Sequence, residues 1–346
     1  MDRRIFIKKL IGWLTAVLII LGLGGLAYRL IGEDEPSPDH EAGGVDVTVG
    51  DDKSKYQESQ PSEEKKIIPH RELGKTGYAV SIYSLGGEST VEQSSRADEA
   101  EAIINRAIDL GVNYIDTAPA YGSGGSESNI GRVMEYRREE VFLASKTPDR
   151  TYDGTMRQVE NSLKRLRTDH LDLYQLHNIR TADDLNRVFA DNGAVKALEE
   201  LKSQGVIRFA GITGHKDPDL LLQGIRQYPF DCLLMSFNAG DIHYASFRQN
   251  LLNEAVKLDM GIIAMKVAAV GRIFREGGLS SMKQALGYVF SFPVSTAIVG
   301  ISNVAEVEEN ARIAADFKPL DDAELKQLES LTAAYADDAN FFKHHW

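Results

Sequence analysis

From Ile67 onward the chain repeats one beat: a short run of strand-forming residues, then a stretch with apolar positions at helical spacing. The strand-like runs are 80–85, 112–115, 141–144, 171–176, 206–212, 231–236, 261–264 and 296–299. Between them, helical periodicity covers 96–110, where Ile103, Ala107 and Leu110 share a face, and 128–134. It returns at Met156, Val159, Leu163 and Leu166, at Val195, Leu198 and Leu201, over 219–226, 247–258 and 282–290, and from Val304. Gly111 and Gly205 stand where helices stop. Eight such units fill about the ~250 residues of a (β/α)8 barrel, whereas an open doubly wound sheet rarely runs to eight without interruption. The spacing therefore predicts an α/β fold, a (β/α)8 barrel of the TIM type. Just ahead of it, RELGKTG at 71–77 predicts a short β-hairpin.

What precedes the barrel reads differently. Arg3, Arg4, Lys8 and Lys9 lead into an uncharged run, 10–28, closed by Arg29. Its length suits the ~17–25 residues of a membrane-spanning helix. Gly22, Gly24 and Ala27 have the spacing of a dinucleotide fingerprint, but no strand precedes them, so that reading is rejected. DRRIFIKK at 2–9 resembles a bacterial twin-arginine signal, and no small-x-small cleavage site follows. Cations before the run and Glu33, Asp34 and Glu35 after it predict a barrel outside the cytoplasm, anchored in the bacterial cell membrane or exported. A barrel on the cytoplasmic face is the alternative. Residues 32–66 are polar, acidic and hold Pro36, Pro38 and Pro61, too little apolar surface to offset ordering entropy. The expected organisation is a signal or anchor (1–31), a disordered linker (32–66) and the barrel (67–346).

Composition excludes several functions. The net charge of −12 argues against a nucleic-acid footprint. The single cysteine, Cys232, excludes an intramolecular disulfide and a cysteine metal cluster, and no metal site is expected.

Barrels place chemistry at the carboxyl ends of their strands. Those ends carry Asp116 and Tyr121, then Lys146, then His177. Each alone has a bland reading, a loop cap, a surface lysine or a core histidine; four on consecutive strand ends make that reading improbable together. The set suits proton donation to a carbonyl oxygen. Tyrosine is a weak acid, with a reference pKa near ~10. A neighbouring ammonium stabilises its phenolate and is expected to lower that pKa, and a carboxylate positions the ammonium. A neutral imidazole can hold the same oxygen. With no activated nucleophile and no metal ligands, the chemistry needs a hydride-carrying cofactor.

GVNYIDTAPAYG (111–122), ASKT (144–147), LDLYQLHN (171–178) and GVIRFAGIT (205–213) together resemble the aldo-keto reductase superfamily, over about 67–331. The resemblance implies nicotinamide-dependent reduction of a small aldehyde or ketone, or oxidation of the alcohol. It makes Tyr121 the general acid/base, tuned by Lys146 and Asp116, with His177 orienting the carbonyl.

It also implies where cofactor lies. The residues that hold the carboxamide fall at Thr213, Gly214 and Leu234, keeping only the hydroxyl, with Asn238 and Ser236 as substitutes. The ring-stacking position falls at Met265, followed by Lys266, and the adenosine end at Gly300, Ser302, Asn303, Glu309 and Asn310. Gly300 and Glu306 replace cations that grip a 2′-phosphate, so NADP(H) is the family default and NAD(H) the alternative. Lys266 could restore phosphate binding from that groove. Against the enzyme stands a membrane-tethered regulatory module with little turnover, favoured by the reduced carboxamide contacts. The intact tetrad favours the enzyme. Phe341, Phe342 and Trp346 are expected either near the mouth or anchoring the terminus.

Overall fold

The computed structural model describes residues 67–345. The signal or anchor, the linker and Trp346 lie outside them. Among the described residues no helix is long and apolar enough to cross a membrane.

Two antiparallel strands, β1 (His70–Glu72) and β2 (Ala79–Ser81), come first. Eight parallel strands follow: β3 (Tyr83–Ser89), β4 (Tyr114–Asp116), β5 (Phe142–Thr147), β6 (Leu171–Leu176), β7 (Ile207–Gly214), β8 (Cys232–Ser236), β9 (Gly261–Met265) and β10 (Thr296–Ile301). They close in sequence order, with β10 pairing both β9 and β3. This is the expected barrel.

The β1–β2 hairpin packs on the amino end of the barrel. Its Leu73 and Val80 join Tyr114, Phe142, Leu173, Cys232, Leu234 and Ile263 in one buried cluster. The approach is close enough to require glycine at 74, where φ is +50° and a Cβ would collide with the Met260–Gly261 backbone. Lys75 N donates to Asp259 O at 2.8 Å.

Three local readings are corrected. The run 80–85 is not one strand; it breaks at Ile82, where the Ser81 hydroxyl donates to Tyr83 O and Asn113 Oδ1 accepts from Ser81 N. The helix expected over 247–258 begins as a π-turn, Arg248–Leu252, before the α-helix Asn253–Lys257. A further helix, Ala182–Val188, precedes Ala194–Ser203. Its signal was present in Thr181-x-x-Asp184, a reciprocal capping box.

Between β3 and β10 the register passes from Gly86↔Gly300 to Ser89↔Ile301, so Gly87 and Glu88 bulge out of the ladder. Such bulges re-aim side chains at barrel rims. Here the bulge delivers Glu88 to the mouth.

Candidate active site

The carboxyl ends of β4, β5 and β6 bring Asp116, Lys146 and His177 together, and the turn Tyr121–Gly124 folds Tyr121 over them. Asp116 closes β4 and Lys146 lies in β5, both buried. Their side chains form a direct ion pair. The ammonium also donates to Thr117 O at 2.9 Å and to the Tyr121 phenol oxygen at 3.2 Å. Gln175 Nε2 donates to the second Asp116 oxygen at 3.1 Å. With every proton of the ammonium placed, the lysine has one orientation. A buried pair persists only when such extra bonds compensate lost hydration.

Burial raises the Asp116 pKa, opposed by Lys146. Burial also raises the Tyr121 pKa well above its ordinary value, with Asp116, Glu88 and Glu92 adding to the shift. That reverses the expected lowering. Asp116 neutralises Lys146 at contact distance, so the phenol meets little net positive charge, and desolvation wins. The resting tyrosine is therefore firmly protonated.

The His177 ring stands edge-on to Tyr121, centroids 5.9 Å apart. Burial, then Lys146, Arg150 and Lys266, depress its pKa to about 3. It is neutral, as the sequence reading required. Its loop is pinned: Arg150 donates to His177 O and Asn178 O, each at 2.8 Å, and Thr213 Oγ1 accepts from Asn178 N at 2.7 Å.

A cavity of about 400 Å³ opens above these groups, lined by Glu88, Tyr121, His177, Asn178, Arg180, His215 and His345. A wider groove of about 750 Å³, running from Thr151 to Ser203, touches none of the four.

Residues 83–274 match the sequence model of the aldo/keto reductase family. The chain belongs to that family. The uncharacterized oxidoreductase YqkF of Bacillus subtilis is 28% identical over 305 residues, covering 76% of this chain and 96% of its own. The holo form of aldo-keto reductase AKR11C1 from Bacillus halodurans superposes with a TM-score of 0.66 at 25% identity, over 76% of this chain and 96% of the other. An aldo-keto reductase from Klebsiella pneumoniae in complex with NADPH gives 0.63 at 25% identity, over 75% and 94%.

In this aldo-keto reductase the residues read as cofactor contacts fare unequally. Thr213 is buried at the end of β7, under the Asn178 backbone. Met265 ends β9, buried against Leu234 and Ile263. Lys266, at φ +58°, pairs with Glu88 at 2.7 Å. The Asn238 amide is engaged within the protein: its nitrogen donates to Lys266 O and Ala339 O, and its oxygen accepts from Gly240 N. Ser236 Oγ lies 3.3 Å from His215 Nδ1.

At the far end, Gly300 is exposed on β10, and Ser302 and Asn303 lead into the helix Val304–Ala315. Ser302 N donates to Glu306, and Asn303 caps Glu306 N while its own amide donates back to that carboxylate. Glu309 faces solvent, whereas Asn310 is buried beside the Tyr83 phenol.

The sequence reading did not single out Glu88, Gln175, Asn178, Arg180, His215 or His345 at the site. Asn178 and Arg180 were findable, one and three residues past His177. His345 was not, since only tertiary folding carries the terminus to the mouth. Phe342 packs beside His215, with centroids 6.4 Å apart, so the tail both anchors itself and reaches the mouth.

Proposed function

We propose that this chain reduces a small aldehyde or ketone with NADP(H) as hydride donor, Tyr121 delivering the proton. One observation carries the reading: a neutral, half-buried phenol held 3.2 Å from an ammonium whose other contacts are fixed. The mouth fits the cofactor's amide end. Asn178 Oδ1 and Gln175 Oε1 are buried acceptors without a partner among the described residues, and a carboxamide N–H is the donor Asn178 lacks. Thr213 offers a hydroxyl beside it. The bound nicotinamide supplies hydride to the carbonyl carbon.

The protein's own part is proton delivery. His177, neutral, donates to the carbonyl oxygen and orients it. Tyr121 then gives up its proton as negative charge builds on that oxygen, and Lys146 stabilises the phenolate left behind. Asp116 keeps the ammonium charged and aimed. Reduction of 4-nitrobenzaldehyde tests this: Tyr121→Phe should lower kcat by roughly 10²–10⁴-fold while NADPH still binds. Turnover within threefold of wild type would remove Tyr121 from the mechanism.

NADP(H) is the donor found with relatives, including the Klebsiella pneumoniae enzyme. Glu306 places a carboxylate at the adenosine-end helix start, so NAD(H) should be accepted as well. Paired titrations with the two nucleotides give the ratio.

We further infer a membrane-tethered or exported barrel, supported by Arg3, Arg4, Lys8 and Lys9 ahead of the uncharged run 10–28. Alkaline phosphatase fused after Trp346 should be active in a bacterial host. Activity only from a cytoplasmic fluorescent fusion would sink the inference.

A further inference from the structure

The rim of the mouth holds one cation, Arg180, that no carboxylate pairs with among the described residues. Glu88 is engaged by Lys266, and Asp116 by Lys146. Of the two carboxylates nearest Arg180 in sequence, Asp183 faces solvent and Asp184 is spent otherwise: its Oδ1 accepts from Arg150 Nε at 2.9 Å, and its Oδ2 from the Arg180 and Thr181 backbone amides. The Arg180 guanidinium has no hydrogen bond or ion pair among the described residues. Yet the loop that carries it is rigid. Arg150 clamps the His177 and Asn178 carbonyls, Ile179 N donates to Thr213 O at 2.8 Å, and Arg180 N is held by Asp184. Arg180 thus stands three residues from His177 on a pinned arm, lining the same cavity.

We infer that Arg180 is the anion anchor of this mouth, and that the substrate is a short carbonyl compound carrying a carboxylate. The inference rests on the reductase reading above and narrows its substrate class. A guanidinium is the side chain that grips a carboxylate through two parallel bonds, and the pinned backbone leaves only the Arg180 side-chain rotamers to be ordered on binding. Among the residues around the cavity, Arg180 is the cation placed to meet a charged substrate group, while the rings of Tyr121, His177, His215 and His345 leave room for a short carbon chain beside it. Within about 400 Å³, which the nicotinamide ring must share, only a few carbons can separate the carbonyl from the anion.

The test compares 4-oxobutanoate with butanal, near-isosteric substrates differing in charge, on full-length wild type, Arg180→Met and Arg180→Lys. Wild type should favour 4-oxobutanoate in kcat/KM. Arg180→Met should lose about 10–100-fold on it, through KM, as expected for one charge-assisted pair. Butanal turnover and NADPH affinity should not move, and Arg180→Lys should recover part of the loss. Calorimetric binding of 4-hydroxybutanoate to the NADP-loaded protein supplies a readout free of turnover. Arg180-dependent binding without reduction of any aldehyde would keep the anchor and refute the reductase. Equal loss on both substrates, or none, would overturn the anchor. So would weakened NADPH binding in Arg180→Met, which would place Arg180 on the cofactor's phosphates.

Discussion

At the scale of single residues, the site works by mutual neutralisation. Asp116 cancels Lys146, Glu88 cancels Lys266, and the two groups beside the cavity proposed to meet the carbonyl, Tyr121 and His177, are left uncharged. Removing one member of such a pair should cost more than the pair is worth. Lys146→Met leaves Asp116 buried beside Tyr121 without its cation. It should abolish measurable turnover and destabilise the fold by roughly 3–5 kcal/mol. Denaturant unfolding measures the second part, and a loss below about 1 kcal/mol would mean water already reaches Asp116. His177 makes a pH prediction. Its folded pKa is about 3, against about 6.5 for an unfolded histidine. Between those values the unfolded chain takes up a proton that the folded chain refuses. Stability is therefore complete above about pH 6.5 and falls as pH drops toward 3. The ring is partly open to the cavity, so its share should be about 2–3 kcal/mol rather than the full shift. His177→Asn should flatten the slope of stability against pH in that window by this amount; an unchanged slope would assign the acid sensitivity to other groups.

At the scale of elements, helix and strand positions were legible because burial imposes a period. Leu171–Leu176 and Met282–Phe290 were read with their observed bounds. What periodicity could not show was loop conformation, and loops carry half the site. The segment after β9 turns at Lys266, Ala269 and Val270, all at positive φ. Val270 is 66% exposed at φ 55°, where a β-branched residue gains no packing to offset strain of roughly 1–2 kcal/mol. Val270→Gly should raise stability by about 0.5–1 kcal/mol after the added chain entropy is counted, read as a higher Tm. The C-terminal helix Phe341–His345 was invisible for another reason. It is held by Lys343, a buried cation bonded to Asp241 Oδ1 at 2.7 Å and to Tyr244 O at 2.6 Å. A lysine three residues from a terminus gives no hint of burial. Lys343→Met should free this helix, speed amide exchange over 336–345, and change KM more than kcat because His345 lines the cavity.

At the scale of the whole molecule, the barrel followed from the count of units, and the clustering of Asp116, Tyr121, Lys146 and His177 from their places at strand ends. The cofactor contacts were the weaker part of the reading. Lys266 was placed by motif position and Asn238 as a substitute near Leu234, but their partners, Glu88 and Ala339, come from distant parts of the chain that no linear pattern joins. The same long-range logic governs stability. Closing a parallel barrel joins β10 to β3 across most of the domain, and the amino end must be sealed for the core to stay dry. The hairpin does the sealing, and Gly74 is its tightest point, since a methyl group there would meet backbone rather than a movable side chain. Gly74→Ala combines a left-handed backbone with that collision. It should destabilise the domain by roughly 2–4 kcal/mol, lifting the hairpin rather than distorting the mouth. Gly77 supplies the control: it also has positive φ, +68°, but nothing lies within 4 Å of an added Cβ. Gly77→Ala should therefore cost only the conformational part, roughly 1–2 kcal/mol. Both variants should keep wild-type kcat/KM at low temperature, because the site is at the opposite end of the barrel. If the two losses were equal, the hairpin would be a passive cover, and the seal would have to lie in the strand core itself.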